Sequence, residues 1–374
     1  MGLLDTIDSP ADVKRLDESE LPALCGEIRS FLVKKISRSG GHLASNLGTV
    51  ELTVALHRVY DTARDRLVFD VGHQCYTHKL LTGRRGGFDR FRELGGMSGF
   101  PKPYESIHDA FIAGHASNSV SVALGMARAR TALGGDYDVV AVIGDGALSG
   151  GTAMEGLSDA GHSGEPIVIV LNDNGMSISR SGGGLAEMLR RIRTKPEYIN
   201  FKRWYRHAFA PRVPALYGFT RRIKRWVKDR VVPDNLFDDL GFEYLGPIDG
   251  HDIGRLETAL RWARDQGVPC LIHVITKKGC GYAPAEDAPE TFHGIGAFDP
   301  ETGLPLGGGE DYSSVFGKTL AELAEKDGRI VAVTAAMCEG TGLSGFRQRF
   351  PDRFFDVGIA EEHAAAMAGG MAAQ

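Results

Sequence analysis

The amino-acid sequence predicts an α/β protein whose core is a parallel sheet covered by helices on both faces. Two continuous apolar runs rich in β-branched residues, VVAVI at 139–143 and IVIVL at 167–171, have the composition of strands buried on both sides. A helical pattern at 154–160 separates them, so the three elements form a predicted βαβ unit. The 49 glycines in 374 residues favour tight turns and close backbone contacts, which phosphate-binding α/β enzymes need.

Composition narrows the class of protein further. The chain is 43% hydrophobic and 24% charged, and it contains no apolar run of membrane-spanning length. A net charge of -5 excludes a protein whose whole surface is built to bind nucleic acid. The five cysteines are scattered and form no C-x-x-C pair, which favours a reducing compartment over a disulfide framework or a zinc site. We therefore expect a cytoplasmic enzyme.

The elements before the βαβ unit follow from periodicity and turn residues. The first forty residues have apolar positions at helical spacing, and a second helix is predicted around 50–56, after two glycines. A short strand at 67–70 comes next, followed by a glycine-rich loop over 83–115. A helix rich in small residues is predicted from about 119 to 132.

The elements after the unit predict two domains. A helix at 254–264 and a strand at 270–275 continue the αβ order, and a loop rich in Gly, Pro and acidic residues at 279–311 resembles a linker. A helix at 315–324, strands at 330–334 and 354–357, and a helix at 360–372 then predict the start of a second α/β domain. We expect domains at 1–310 and 311–374, and the apolar run AAAMA near the last residues predicts that the second domain is truncated.

A strongly basic segment interrupts the first domain. Residues 190–230 contain 14 Lys and Arg against 2 Asp and Glu, interleaved with aromatic residues. Nucleic-acid contact is one interpretation. Because the chain is acidic as a whole, we favour a basic insertion at about 181–235 that lies near an anionic substrate or another subunit.

Polar residues follow both strands of the βαβ unit where each strand ends. Gly144-Asp145-Gly146 follows the first, and Asn172-Asp173-Asn174 ends the second. Ligands of parallel sheets bind at the carboxyl ends of the strands, so Asp145 and Asn174 are expected to share one crevice. A carboxylate and an amide oxygen suit Mg²⁺, and flanking glycines let phosphates approach the backbone. A tight strand-to-helix turn is the simpler explanation of the glycine pair alone.

The motifs together resemble a known family. The sequence from Gly144 through Asn174 is similar to the thiamine-diphosphate and magnesium motif of the transketolase superfamily. More narrowly, the chain resembles the 1-deoxy-D-xylulose-5-phosphate synthases from about residue 5 to 374. The motifs that carry this resemblance are GHLAS at 41–45, GTVEL at 48–52, DVGHQ at 70–74, NDNGMSIS at 172–179, KKGCGY at 277–282 and DVGIAEEH at 356–363.

The resemblance implies a parallel-sheet thiamine-diphosphate-binding fold and a set of site residues. Asp145, Asn174 and the Met176 carbonyl would bind Mg²⁺, and Glu361 would activate the cofactor, its carboxyl favoured in the protonated form by burial. His42 would face the substrate. The implied cofactor-binding residues are His73, Gly114, His115, Ala116, Gly146, Ala147, Asn174, Tyr282 and Glu361. Without the resemblance, capping of a helix is the lesser of two explanations of His42, whereas an acidic residue at the start of a helix is the better explanation of Glu361.

The resemblance also implies an activity. It is the decarboxylative condensation of pyruvate with D-glyceraldehyde 3-phosphate to 1-deoxy-D-xylulose 5-phosphate, the first step of non-mevalonate isoprenoid synthesis, in a homodimer. Two alternatives stay open. One is a transketolase-type ketol transfer between sugar phosphates, and the other is a non-catalytic cofactor-binding subunit or pseudoenzyme.

Four positions depart from the pattern expected of the family. Asn46 stands where we expect glycine, and Ala116 where we expect a hydroxyl residue. Gly175 replaces an expected glutamate and Cys338 an expected basic residue. Loss of the hydroxyl at Ala116 removes one hydrogen bond, on the order of 1 kcal/mol. Gly175 is expected to loosen the loop that would hold Mg²⁺.

Overall fold

A five-stranded parallel sheet forms the centre of the computed structural model, which describes residues 2–176, 184, 187–189, 236–307 and 309–374. The strand order is β1-β2-β3-β5-β4, and every pair is parallel. The strands are β1 Arg66–Phe69, β2 Val139–Gly144, β3 Val168–Asp173, β4 Glu243–Asp249 and β5 Cys270–Ile275. The predicted α/β class and parallel βαβ unit are confirmed. The predicted basic segment at 190–230 lies outside the described residues, as does the insertion at 181–235 apart from 184 and 187–189.

Helices surround this sheet and continue into a second unit. Those of the first unit are α1 Pro10–Arg15, α2 Leu21–Ser39, α3 Leu43–Gly48, α4 Val50–Val59, α5 Tyr76–Leu81, α6 Ser119–Leu133, α7 Gly151–Ser163, α8 Leu236–Asp239, α9 Ile253–Arg264 and α10 Ala283–Asp287. Those of the second unit are α11 Tyr312–Lys326, α12 Ser344–Arg349 and α13 Glu361–Ala372.

The sheet separates two apolar layers because successive strand residues point to opposite faces. On β2, Val140 and Val142 belong to the layer that includes α2, α4 and α9. Val139, Ala141 and Ile143 belong to the opposite layer, with α6 and α7. All five side chains are buried, which explains why the strand has no polar alternation in its sequence.

The register of β2 and β3 brings the two polar turns together. Gly144 pairs with Asn172, so both strands end at the same edge of the sheet. The backbone N–H of Asp145 donates to the carbonyl of Asn172 at 3.2 Å. The fold therefore places the predicted metal-binding residues side by side.

The amino-terminal helical region is more divided than its periodicity indicates. Leu16 is extended after α1, and α2 begins anew with a proline in its first turn, where the missing N–H has no cost. The second predicted helix, around 50–56, lies within α4, and Thr49 separates it from the additional helix α3. At the end of α3, a Cβ on Gly48 would lie 2.8 Å from the Lys277 carbonyl oxygen, so this helix packs directly on the 277–278 turn. The predicted linker at 279–311 contains α10 and a short 3-10 helix, Thr291–His293.

The second unit has its own small sheet and core. Strands β6 Ala332–Thr334 and β7 Phe354–Asp356 pair in parallel. Ala321, Ala324 and Phe346 from two helices are buried beside Ala332. No residue of α13 is buried. These elements agree with the predicted start of a second α/β domain. No helix in the described ranges combines the length and apolar content needed to span a bilayer.

The close approach of α7 to the turn before β4 gives a stability test. A Cβ on Gly161 would overlap the carbonyl oxygen of Leu240, a backbone atom that cannot move away alone. Gly161→Ala should therefore lower the free energy of unfolding by about 1–3 kcal/mol. Gly125 is the matched control, because it is exposed within α6 and its Cβ would meet nothing within 4 Å.

Urea denaturation of both variants measures the difference. Gly125→Ala should raise the free energy of unfolding by about 0.5–1 kcal/mol, since only helix propensity changes there. Equal stabilisation by both alanines would contradict the packing described for α7.

Candidate functional site

A cavity of about 340 Å³ lies at the carboxyl ends of β1, β2 and β3. The second unit forms part of its wall through Ala335, Met337, Ile359 and Glu361, and the Ser149 hydroxyl lies 3.5 Å from the Ile359 carbonyl. Most of the site residues named from the sequence line this one cavity. They are His42, His73, Gly114, His115, Ala116, Asp145, Gly146, Ala147, Asn174, Met176 and Glu361.

Tyr282 is the one predicted site residue outside the lining. Its ring packs against Phe292 and Phe298, with centroids 5.7 Å and 6.2 Å away. Its hydroxyl donates to the carbonyl of Pro300 at 2.9 Å. The structure therefore gives Tyr282 a packing role in the 279–300 segment, which the position of a tyrosine in a sequence motif does not reveal.

Asn174 and Met176 form a turn after β3, and this turn is hydrogen-bonded to Asp145, which follows β2. The Asn174 N–H donates to Asp145 Oδ1 at 3.4 Å, and the Met176 N–H donates to Asn174 Oδ1 at 3.0 Å. Asp145 is 6% exposed. The described ranges contain no group of three or more His, Cys, Asp and Glu side chains that could hold a metal ion. The predicted Mg²⁺ ligands are of another composition: one carboxylate, one amide oxygen and one backbone carbonyl.

A chain of buried hydrogen-bonded groups holds the turn between Asn174 and Met176 in place. Gly175 has φ of 73°, a left-handed conformation in which a glutamate would be strained. Its N–H donates to Asp173 Oδ1 at 3.1 Å, and Asp173 Oδ2 lies 2.8 Å from His273 Nε2. The other ring nitrogen of His273 lies 2.8 Å from the Tyr244 hydroxyl. Contrary to the expected loosening, glycine fits the conformation that this turn adopts.

The glycine-containing turn at 114–116 is fixed by Asp70, which follows β1. The carboxylate of Asp70 accepts the N–H groups of Ser117 at 2.8 Å and Ser119 at 3.0 Å, and burial raises its pKa. The Ser117 hydroxyl donates to the Ala147 carbonyl at 2.7 Å. This hydroxyl, one residue beyond Ala116, therefore joins two walls of the cavity.

Buried charges also hold the loop that leads to this turn. Asp109 accepts two hydrogen bonds from Arg84, both at 2.7 Å, and lies 2.9 Å from His78 Nε2. Burial raises the pKa of Asp109, but the hydrogen bonds from His78 and Arg84 outweigh it and hold that pKa well below its usual range. Lys79 Nζ donates to Glu105 at 2.6 Å. His78 and Lys79 on α5, together with Arg84 just after it, thus hold the loop segment through its two carboxylates.

Three histidines meet at the cavity. The ring of His42 lies 5.2 Å from that of His73 and 5.6 Å from that of His293, and the last two are 5.2 Å apart. Burial, with Arg92 and Lys278, lowers the pKa of His42 to about 4. Burial lowers the pKa of His293 to about 3 and that of His73 well below its ordinary value. All three are neutral at pH 7.

Sequence reasoning assigned no role to His293 or to Lys278. His293 lies in a Thr-Phe-His run typical of the resembled family, which was the available signal. Lys278 belongs to the KKGCGY motif, and the sequence gives no reason to distinguish it from the neighbouring Lys277. In the structure Lys278 is 6% exposed and lines the cavity, whereas Lys277 pairs with Glu286 at the surface. Burial lowers the pKa of Lys278 to about 8, although Asp145 and Glu290 oppose this.

Glu361 begins α13 and faces the cavity from the second unit. The side chain is exposed, which corrects the expectation that burial holds it in its protonated form. The reason is that the helix lies on the molecular surface along its whole length. Glu361 and Asp145 line the same cavity, although they come from different units.

Solved structures that share this architecture include transketolases. The transketolase of Campylobacter jejuni subsp. jejuni matches with a TM-score of 0.54 and 21% identity, covering 84% of this chain and 43% of its own. Transketolase from Leishmania mexicana matches with a TM-score of 0.55 and 16% identity, covering 92% of this chain and 61% of its own. The fold is therefore transketolase-like.

The family follows from sequence comparison. Residues 4–276 match the family model described as 1-deoxy-D-xylulose-5-phosphate synthase, and residues 309–374 match the transketolase pyrimidine-binding domain. The chain belongs to the 1-deoxy-D-xylulose-5-phosphate synthase family. The synthase of Caldanaerobacter subterraneus subsp. tengcongensis is 52% identical over 376 residues, and synthase 1 of Geobacter sulfurreducens 50% over 379. Each alignment covers 100% of this chain but only 60% and 59% of those relatives.

The neutral histidines make stability sensitive to acid. Their unfolded pKa is near 6.5, whereas in the folded chain that of His42 is about 4. Between these values the unfolded chain binds more protons, so the free energy of unfolding falls as the pH is lowered from about 6.5 to 4. The expected loss from His42 is on the order of 1–3 kcal/mol.

Urea denaturation at several pH values tests this. His42→Gln should show a shallower fall over the window, whereas the exposed control His162→Gln should keep the slope of the unsubstituted chain. Identical slopes for all three proteins would mean that His42 is not held neutral in the folded state.

Proposed function

We propose that the cavity holds thiamine diphosphate and Mg²⁺. The observation that carries the proposal is the meeting of Asp145, Asn174 and Glu361 around one cavity, although Glu361 lies in a different unit from the other two. Relatives at about 50% identity bear the name of a synthase in this family. The proposal gives the two walls different tasks, with the anionic end of the cofactor at Asp145 and the ring end at Glu361.

The residues present fit this group. A Cβ on Gly114 or Gly144 would meet nothing within 4 Å, so backbone faces open space on two sides of the cavity. His73 Nδ1 and Gln74 Oε1 are buried and have no hydrogen-bond partner in the described part of the chain, although both residues line the cavity. Lys278 adds a buried cationic side chain, which favours an anionic ligand. Asp145, Asn174 and the Met176 carbonyl offer the oxygen ligands that Mg²⁺ prefers.

We propose further that the whole protein joins pyruvate to D-glyceraldehyde 3-phosphate with loss of CO₂, as the first step of non-mevalonate isoprenoid synthesis. When bound, thiamine diphosphate supplies the acidic carbon and the electron sink that the loss of CO₂ requires. The His42, His73 and His293 rings are neutral at pH 7, so each offers the substrates one N–H donor and one unprotonated nitrogen that accepts a hydrogen bond. Glu361 lines the same cavity from the second unit, and the proposal assigns to it the contact with the ring end of the cofactor.

The broader organisation is part of the same proposal. We infer a diphosphate-binding domain at 1–310, the start of a pyrimidine-binding domain at 311–374, and a homodimer. The five cysteines are free, which supports a cytoplasmic location. The net charge of -5 supports small-molecule substrates rather than nucleic acid.

Binding is tested by thermal unfolding with and without thiamine diphosphate plus Mg²⁺. The ligands should raise the unfolding temperature of the chain, because they bind the folded state. Asp145→Ala should abolish the rise, and so should EDTA. Asp159→Ala is the control, since Asp159 lies on the surface of α7 and pairs only with exposed Arg128 among described contacts. An undiminished rise in Asp145→Ala would show that the metal site is wrongly assigned.

Turnover is tested with carbon-13-labelled pyruvate and D-glyceraldehyde 3-phosphate, using protein from its native source whose intact mass is measured first. The expected result is CO₂ and a sugar phosphate with a new carbon–carbon coupling. Ketol transfer without CO₂ would instead support the transketolase alternative. Thermal stabilisation without any turnover, in a protein of about 40.3 kDa, would support the non-catalytic alternative.

A further inference from the structure

Asn46 carries a buried carboxamide that contacts three separate parts of the site. It lies in α3 and is completely inaccessible to solvent. Its Nδ2 donates to the carbonyl of His42 and to the carbonyl of His73, both at 2.7 Å. Its Oδ1 accepts the N–H of Tyr76 at 2.8 Å. Both N–H groups of the amide and one face of its oxygen are thus engaged.

The three partners come from different elements. His42 immediately precedes α3, His73 lies in the turn after β1, and Tyr76 begins α5. The N–H of a first helical residue has no acceptor within its own helix, so Asn46 satisfies a donor that would otherwise be buried and unpaired. One side chain therefore joins two helix ends and a strand-end turn.

Tyr76 in turn forms hydrogen bonds to His42. Its hydroxyl accepts the backbone N–H of His42 at 3.0 Å and lies 3.4 Å from His42 Nδ1. Asn46 holds the backbone of Tyr76, and the Tyr76 side chain holds the backbone of His42. His42 is consequently fixed at both its N–H and its carbonyl group.

The position of the His73 ring depends on its backbone more than the position of the His42 ring does. Its Nδ1 has no hydrogen-bond partner among the described residues. The two preceding residues, Val71 and Gly72, have φ of 57° and 83°, so the turn is in an unusual conformation. The bond from Asn46 to the His73 carbonyl fixes the peptide from which this ring projects.

We propose that Asn46 is a positioning residue that sets the separation and mutual orientation of the His42 and His73 rings, which lie 5.2 Å apart at 67°. This inference rests on the proposed function in one respect, because that function is what gives the two histidines a part in the reaction. Glycine, the residue expected at this position, has no side chain that can make any of the three bonds.

The test is made on the ligand-free chain, so that it does not depend on cofactor binding or turnover. The chain is labelled with carbon-13 at histidine Cε1, and the His42 and His73 signals are assigned with His42→Gln and His73→Gln. Asn46→Asp keeps the shape and the accepted bond but loses both donated bonds. Asn46→Ala loses all three. Thr53→Val is the control, because Thr53 is buried in α4 and bonds only to the Thr49 carbonyl among described contacts.

Both Asn46 variants should move the His42 and His73 signals together, while the exposed His162 signal stays in place. Thr53→Val should move neither signal. Unchanged His42 and His73 signals in Asn46→Asp would overturn the proposal. If the first two variants do not fold, Asn46→Ser, which keeps one donor, replaces them under the same criterion.

Activity provides a second readout in the full-length protein. Misplacement of the rings should lower kcat by about tenfold or more in Asn46→Asp, with a smaller change in KM. An equal loss in Thr53→Val would assign the effect to general destabilisation and would overturn the positioning role. Absence of turnover in the unsubstituted protein would count against the proposed function alone, since the histidine signals are read without ligands.

Discussion

The site depends on one constraint: buried carboxylates at strand ends must find hydrogen-bond donors, and the turns of neighbouring elements supply them. Asp70 after β1 accepts the N–H group of Ser117, in the turn before α6, and that of Ser119, the first residue of α6. Asp145 after β2 and Asp173 at the end of β3 accept N–H groups from the turn that follows β3. Because an unsatisfied buried carboxylate is costly, each of these turns is held in one conformation. The shape of the cavity walls therefore follows from the hydrogen bonds that these three carboxylates accept.

The sequence predicts those parts of the fold that local pattern determines. Strands β2 and β3 are continuous apolar runs, and their shared edge follows from parallel pairing, so Asp145 and Asn174 were found from the residues alone. His73, Gly114 and Glu361 needed the family resemblance, because their approach to the cavity depends on turns with no periodicity.

Other features depend on contacts between distant residues. Ser45 lies 3.4 Å from His293 although 248 positions separate them, and Asn46 bonds to a carbonyl 27 residues away. No spacing rule relates such pairs. Tyr282 is the converse case: its motif is present in the sequence, yet its ring packs against phenylalanines and is not part of the cavity lining. Exposure of Glu361 likewise depends on what covers α13, which the pattern of that helix does not state.

The wall of the cavity is shared by two units, each with its own hydrophobic core. A molecule that fills the cavity and touches both walls therefore couples two folding equilibria. Its binding free energy is available only when both units are folded and in contact, so occupancy makes their unfolding more cooperative. In the ligand-free chain the second unit, with its smaller core, is free to open first, and amide hydrogens of α11 and α12 would exchange faster than those of the central sheet. A ligand contacting both Asp145 and Glu361 would bring the two exchange rates closer together.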